Sequence, residues 1–168
     1  MSATFDEAVR ELSMLAGVDF RSALEDEHVR WALYEASIHD PARHEVLRTA
    51  VRGDSNAPLA SAVVTRAMGS VRSVERLIWV DTLQPGRLRD HAAKRATELD
   101  VLDELTSGGD VIEIRSVDVE GWTQWLQQRV AERTDNTQVL HILSQAGATK
   151  HIRQVASERI HKLRRNDA

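Results

Sequence analysis

A helical pattern that recurs about every thirty residues is the strongest constraint on how this chain of 168 residues can fold. In each copy an apolar residue is followed, four and eight positions later, by further apolar or small residues. Successive copies begin 30, 29, 34 and 30 residues apart. The copies occupy residues 29–37, 59–67, 88–96, 122–130 and 152–160. About thirty residues are enough for one helical hairpin, so the recurrence predicts a stacked array of hairpins.

The spacing within each copy predicts which face of the helix packs. Because an α-helix turns by about 100° per residue, positions four and eight residues apart fall within one stripe. We expect this stripe to pack against neighbouring helices, and its alanines permit close approach. Arginine recurs at both shoulders of the stripe, directly after its first position and directly before its last. Such an arginine can lay its aliphatic stem on the apolar surface and keep its charge at the edge.

Start and stop signals between the apolar runs predict an all-α protein. The predicted helices lie near residues 5–16, 23–38, 41–52, 57–68, 72–83, 86–98, 100–106, 119–133, 136–146 and 150–164. Thr4 with Glu7, and Ser22 with Glu25, have the spacing of a capping box, in which each side chain bonds a free backbone amide. Four glycines are predicted to close helices in the left-handed conformation: Gly17, Gly53, Gly69 and Gly147.

Residues 107–118 interrupt the helical pattern. Ser107-Gly108-Gly109-Asp110 is a turn sequence, and the β-branched run that follows is either a short strand or an extended loop. No other segment offers an obvious strand partner, so we predict an irregular insertion in an otherwise helical protein. Function often resides in such insertions, although loops also tolerate variation.

Two copies show the recurring pattern best: Leu88-Arg89 with Ala92, and Ile152-Arg153 with Ala156. The pattern resembles the HEAT-like repeats, in particular their short bacterial variety, and more loosely the armadillo-type arrays. The resemblance covers residues 23–165 and implies a right-handed α-solenoid of about five helical hairpins, with one insertion near 107–118. It further implies a concave face lined by the second helix of each hairpin. Proteins of this type usually bind other proteins, sometimes bind nucleic acid, and rarely act as enzymes.

Four arginines occupy the position before the last stripe residue in consecutive copies: Arg66, Arg95, Arg129 and Arg159. In a solenoid they would form a ladder along the array, and the ladder has two interpretations. The guanidinium groups could bind phosphates or an acidic partner, because each offers paired donors to an oxyanion. Alternatively, each arginine pairs with an acidic residue of the neighbouring hairpin and holds one repeat to the next, for which the chain offers 26 Asp and Glu residues.

Two tryptophans, Trp122 and Trp125, lie beside the predicted insertion and are expected on adjacent parts of one helix face. They are candidates to stack on a base or to receive an anchor residue from a partner, and the alternative is that they pack in the core. Trp31 and Trp79 are expected to be core residues. The 7 histidines show no spacing typical of zinc ligands, so no metal site and no cofactor is predicted.

Composition narrows the classes of function. The chain contains no cysteine, which excludes thiolate catalysis, disulfides and metal sites built on sulfur. It also contains no Gly-rich phosphate loop and no serine-hydrolase motif. We therefore predict one domain over residues 1–168 that acts as a non-catalytic protein-binding scaffold through its concave face. The alternative is a nucleic-acid-binding or DNA-repair protein that contacts phosphates through the arginine ladder, and a third possibility is an enzyme with a small ligand in its groove.

Charge is distributed unevenly along the chain, with 11 acidic and 6 basic residues in 1–56 but 4 acidic and 8 basic residues in 121–168. The net charge of −4 argues against a dedicated nucleic-acid module, while the basic end keeps that partner open. Arg164 and Arg165 are interpreted as a solvated tail after the last helix. The first residues lack the features of a secretory signal, and no apolar run approaches the ~20 residues of a membrane span. We therefore expect a cytoplasmic protein without a membrane partner.

Overall fold

The structure is a computed structural model that describes residues 4–107 and 119–166, and these residues form helices and turns without a strand. The all-α prediction is confirmed for this part of the chain. Its α-helices are α1 Phe5–Ala16, α2 Phe20–Glu25, α3 Glu27–Ile38, α4 His44–Gly53, α5 Ala57–Met68, α6 Ser73–Val80, α7 Arg87–Thr106, α8 Gln124–Arg133, α9 Thr137–Ala146 and α10 Lys150–Asn166. Single turns of 3-10 helix span Pro41–Arg43 and Val119–Gly121. The predicted insertion at 107–118 lies, except for Ser107, outside the described residues.

Several predicted helices have different limits in the structure, and for three of them the reason is local. The predicted helix 23–38 is divided at Asp26, whose carboxylate accepts hydrogen bonds from two amides of the first turn of α3 and so caps that helix. The predicted helices 86–98 and 100–106 form the single helix α7, because neither glycine nor proline interrupts it. By contrast, α1 and α5 have the predicted bounds.

The first predicted capping box is confirmed and the second is wrong. The Thr4 amide donates to Glu7 Oε2 at 2.7 Å, and the Glu7 amide donates to Thr4 Oγ1 at 3.3 Å. The hydrogen bond from the Thr4 backbone is the main cause that lowers the pKa of Glu7. Ser22 instead donates its amide to Asp19 Oδ2 at 2.8 Å, because α2 begins at Phe20 and Asp19 is its cap.

Of the glycines predicted to be left-handed, Gly17 alone has that conformation, with φ of 67°. Gly53 is the last residue of α4, and Gly69 and Gly147 have φ of −72° and −56°. At position 147 glycine is required because there is no room for a side chain. A Cβ atom at this position would lie 2.6 Å from the carbonyl oxygen of Leu143, which is too close for any other residue.

The helices form two compact units, with the boundary between Thr97 and Glu98. In the first unit α1 packs along α4, α2 packs on α3, and α5 contacts both α3 and α6. In the second unit α9 and α10 form a helical hairpin against which α8 packs. The assignment of residues 1–168 to a single domain stays a prediction.

The apolar stripes predicted from the recurrence are buried in every copy. Their buried residues are Leu33, Ser37, Val63, Ala67, Ala92, Ala96, Leu126, Val130, Ile152, Ala156 and Ile160. Val29, Leu59 and Trp122 are half-buried, and Leu88 is the exposed exception. The recurring positions therefore form the packing face of the helices, as expected from their spacing.

Three helices have an arginine as their fourth residue that binds the carbonyl end of the preceding helix. The last carbonyl groups of a helix have no partner within that helix. A guanidinium group supplies the missing donor in α3, α6 and α10: Arg30 Nη1 to Ala23 O and Leu24 O at 3.0 Å each, Arg76 Nε to Met68 O at 3.2 Å, and Arg153 Nη1 to Gly147 O at 2.6 Å. The expectation that such arginines keep their charge at the edge is wrong for Arg30, which is 7% exposed, because carbonyl oxygens bind its charge inside.

Helix α8 uses a glutamine at the same position. Gln127 is the fourth residue of α8 and donates Nε2 to the carbonyl oxygens of Val119 and Trp122, at 2.9 and 3.2 Å. Its Oε1 accepts a hydrogen bond from the Ala148 amide at 2.8 Å. Because an amide side chain both donates and accepts, this single residue connects α8 to the chain before it and to the turn between α9 and α10.

A buried carboxylate holds Arg30 from its other side. Asp54, whose side chain is 1% exposed, accepts hydrogen bonds at Oδ2 from Arg30 Nε at 2.8 Å and from the Tyr34 hydroxyl at 3.1 Å. Its Oδ1 accepts from the Asn56 amide at 2.9 Å. A buried ion pair is stable when its remaining polar atoms are also bonded, as they are here. The network ties α3 to the segment between α4 and α5.

Replacing Asp54 with alanine should leave the charge of Arg30 buried without its partner. We expect Asp54→Ala to lower the free energy of unfolding by about 3–5 kcal/mol. Asp81→Ala is the matched control, because Asp81 pairs with Arg89 at the surface with its own side chain 64% exposed. Its cost should stay below about 1 kcal/mol. Urea unfolding of both variants tests this, and equal costs would show that the buried network does not stabilise the fold.

Tyr34 is the one tyrosine of the chain, so its ionisation can be followed by ultraviolet absorbance. Burial, followed by the nearby Asp54 carboxylate, raises the pKa of Tyr34 above its usual value of 10.0. Because the folded state favours the protonated hydroxyl, this stabilisation is complete below about pH 10 and is lost as the pH rises further. We expect tyrosinate absorbance to appear only together with alkaline unfolding followed by circular dichroism. Ionisation of Tyr34 in the folded protein near pH 10 would contradict this.

Candidate functional site

The predicted arginine ladder is divided between the two units, with Arg66 and Arg95 in the first and Arg129 and Arg159 in the second. Ion pairs join Arg66 Nη2 to Glu35 Oε1 at 3.3 Å, Arg129 Nη1 to Glu132 Oε2 at 3.0 Å, and Arg159 Nη2 to Asp135 Oδ1 at 2.7 Å. Arg95 is half-buried on α7. Glu35 lies on α3, one hairpin before Arg66, and Asp135 lies in the turn between α8 and α9. A role of the ladder in binding stays a prediction.

The pair formed by Arg129 differs from the other two because both residues belong to α8. Gln128 donates to Glu132 at 2.9 Å, and this hydrogen bond, followed by that of Arg129, lowers the pKa of Glu132. Arg129 therefore stabilises its own helix rather than a neighbouring hairpin.

The two candidate tryptophans do not share a helix. Thr123 caps α8, with its hydroxyl accepting the Leu126 amide at 3.3 Å, so Trp122 precedes the helix and Trp125 lies in its first turn. The expectation that both lie on one helix face is wrong for this reason. Both are half-buried and pack against the core of the second unit. Trp31 is also half-buried rather than a core residue.

Helix α6 exposes an apolar stripe. Val74 is 73%, Leu77 63% and Ile78 50% exposed, and their spacing places them side by side on one face. We call these three residues the α6 stripe. The opposite face of α6 is buried and contains Trp79. The signal that could have revealed the stripe is that α6 contains more apolar residues than one helix face can bury.

Trp79 fixes the orientation of α6, and it is buried as predicted. The His44 ring meets the Trp79 ring edge-on with centroids 5.3 Å apart, and the Arg48 guanidinium lies 5.5 Å from the centre of the Trp79 ring. Both contacts come from α4. They hold α6 with its stripe toward solvent, so the stripe is organised before any partner arrives.

A second apolar surface of the first unit is an open groove of about 430 Å³ along α3. Its lining residues are Ala16, Val18, His28, Val29, Ala32, Leu33 and Ala36. The side chains of Met14 and Leu15, at the end of α1, are also exposed. The small alanines of α3 would permit another chain to approach closely.

The last helix exposes basic residues. Arg164 and Arg165 are part of α10, which continues to Asn166, so their interpretation as a tail after the last helix is wrong. The exposed basic residues and histidines of α10, which we call the basic face, are Lys150, His151, His161, Lys162, Arg164 and Arg165. The last four line an open concavity of about 760 Å³ together with Glu158.

Comparison with protein-family models, with curated proteins and with solved structures gave no match. The surfaces of this chain are therefore what indicates its function. None of the helices within 4–107 and 119–166 has the length and apolar character required to cross a membrane.

Substitution of Trp122 and Trp125 tests whether these side chains stabilise the fold or serve only to bind a partner. Because each is half-buried against the core, we expect Trp122→Ala and Trp125→Ala to lower the free energy of unfolding by about 2 kcal/mol each, roughly half the cost of a fully buried tryptophan. Arg133→Ala, at an exposed position of α8, should change it by less than about 0.5 kcal/mol. Chemical denaturation measures all three. Unchanged stability in both tryptophan variants would favour the binding interpretation.

Proposed function

We propose that this protein is a non-catalytic scaffold that binds another protein and is built as a HEAT-like helical array. The observation that carries the proposal is the α6 stripe, in which three large aliphatic side chains are exposed side by side. Contiguous apolar surface on a soluble domain commonly marks an interaction site. A partner with an apolar surface of its own would remove the stripe from water, and that transfer supplies the driving force for binding.

Equivalent arginines support the helical-array part of the proposal. Arg30, Arg89 and Arg153 occupy the same position in the first, third and fifth copies of the pattern. Arg30 and Arg153 donate to carbonyl oxygens at the end of the preceding helix, and Arg89 binds Asp81, the residue that ends α6. The same residue type in the same position thus contacts the end of the preceding helix in three copies, through backbone carbonyls in two of them and through the Asp81 carboxylate in the third. A curved array with a concave face belongs to this proposal.

The spacing of the α6 stripe fits a partner helix. Its residues are separated by three and four positions, the spacing by which one helix presents a ridge to the groove of another. An amphipathic helix with its own apolar residues at this spacing would interdigitate with Val74, Leu77 and Ile78. Because α6 is held by Trp79 on its other face, the partner would not have to order it.

The proposal assigns docking to the α6 stripe rather than to the arginine ladder and the two tryptophans. The ion pairs of Arg66 and Arg159, and the packing of Trp122 and Trp125, support structural roles for these residues. A ladder that binds phosphates would first have to release its acidic partners, which lowers the gain from binding.

A charge placed in the stripe should abolish docking without unfolding the protein. We expect Leu77→Asp to reduce recovery of specific partners at least tenfold in affinity purification from source cells with quantitative mass spectrometry, because the aspartate would be desolvated at the interface. Its free energy of unfolding should change by less than about 0.5 kcal/mol, since the side chain is exposed.

Met14→Asp is the matched control, because Met14 is exposed to a similar degree at the end of α1. A partner that is no longer recovered with Leu77→Asp, but is still recovered with Met14→Asp, docks on the α6 stripe. A photoreactive residue at position 77 should cross-link to the same partner and identify the segment that it presents. If every partner of the wild-type protein is recovered with Leu77→Asp, docking on the stripe is refuted.

A further inference from the structure

The basic face of α10 is a surface that protein binding through α6 leaves unused. The apolar residues of this helix, Ile152, Ala156 and Ile160, are buried in the core of the second unit. The helix is thereby held with its basic face toward solvent. The one acidic residue in α10, Glu158, accepts a hydrogen bond from Gln154 Nε2 at 2.8 Å.

The cations of α10 fall into two groups. Arg153 binds a carbonyl oxygen and Arg159 binds Asp135, so both are used within the chain. Four others form no ion pair with any acidic residue in the described part of the chain: Lys150, Lys162, Arg164 and Arg165. Like charges on one helix repel one another, so this arrangement is unfavourable until an anion neutralises it.

The helix dipole explains the position of only some of these basic residues. Arg164 and Arg165 stand in the last turn, where the partial negative charge of the helix end favours cations. Lys150 stands in the first turn, where the same dipole disfavours a cation. Favourable placement along the helix therefore does not explain a face that is basic at both of its ends.

The four lysines and arginines of the basic face lie at its two ends, Lys150 at one end and Lys162, Arg164 and Arg165 at the other, and Gln154 and Glu158 are exposed between them. From Lys150 to Arg165 the face extends about 22 Å along a straight helix, so its two ends can contact phosphates at separate points of a duplex. Duplex nucleic acid presents about one negative charge per 1.7 Å of its axis, and each guanidinium offers paired donors to phosphate oxygens. A membrane fits less well, because the apolar side of α10 is packed in the core and has nothing to insert into lipid.

We propose that the basic face of α10 binds the phosphate backbone of duplex nucleic acid without reading its sequence. The negative net charge of the chain weakens the approach of any polyanion, so binding is of low affinity and strongly dependent on salt. Lys150, Lys162, Arg164 and Arg165 provide the contacts.

Fluorescence anisotropy of the full chain with a labelled duplex of arbitrary sequence, measured over a range of salt concentrations, tests the proposal. Four phosphate contacts predict a slope of about −3.6 for the logarithm of affinity against the logarithm of salt concentration. In the double variant Arg164→Gln/Arg165→Gln the slope should fall to about half, and affinity at low salt should fall at least tenfold. Urea unfolding confirms that the variant is folded.

The control double variant Arg72→Gln/Arg87→Gln removes the same charge from exposed positions of the first unit and should bind within twofold of the wild type. An equal loss in this control would show that general charge, and not α10, attracts the duplex, and would overturn the proposal. So would the absence of binding at low salt. Tighter binding of polyglutamate, or of vesicles that contain phosphatidylserine, with the same dependence on Arg164 and Arg165, would assign the face to an acidic protein or a membrane instead.

Discussion

The carbonyl groups at the ends of the helices impose the constraint on which this fold depends. Successive helices are short and closely spaced, so several of their ends lie inside the protein, where an unbonded carbonyl costs free energy. For three of these ends the donor is the fourth residue of the next helix, Arg30, Arg76 or Arg153. His44 bonds the Ile38 carbonyl at the end of α3, and the Thr134 hydroxyl donates to the Leu105 carbonyl near the end of α7. Because these hydrogen bonds form only at short distance, they also fix the angle at which one helix follows another.

The charge of the donor determines how deeply it can be buried. Removing an isolated guanidinium from water costs several kcal/mol, and each hydrogen bond to a charged donor returns about 1.5–3 kcal/mol. Arg30 is buried with two carbonyl acceptors and the carboxylate of Asp54, so its charge is fully compensated. Gln127, the fourth residue of α8, bonds the carbonyl oxygens of Val119 and Trp122 without a counterion, because an uncharged amide needs only its hydrogen bonds.

The sequence predicted the packing faces well because burial and the apolar recurrence share one period, as Leu33, Val63 and Ile160 illustrate. It could not predict where the arginines point, since a side chain long enough to reach the surface is also long enough to reach a carbonyl. Nor could it predict the exposed side of α6. A helix that is apolar on two faces can bury either one, and here the choice depends on contacts of Trp79 with residues of α4 that are distant in sequence. Nor could it predict the pairing of the ladder arginines, because periodicity does not show which arginine has an acidic residue within reach, as Arg66 has Glu35.

Helix α10 shows how a single helix separates structural cations from available ones. Arg165 follows Arg159 by six residues, which turns it about 120° around the helix axis and away from the acidic partner of Arg159. An arginine already bound to Asp135 must lose that contact before it can bind a phosphate, whereas Arg165 forms no ion pair with an acidic residue within 4–107 and 119–166. Whether a chain with an excess of acidic residues can bind an anion therefore depends on the number of unpaired cations on one face, rather than on its total charge. Arg30, Arg153 and Arg159 of the recurrence are bonded within the chain, whereas Lys162, Arg164 and Arg165, which lie outside the recurrence, form no ion pair with the described acidic residues.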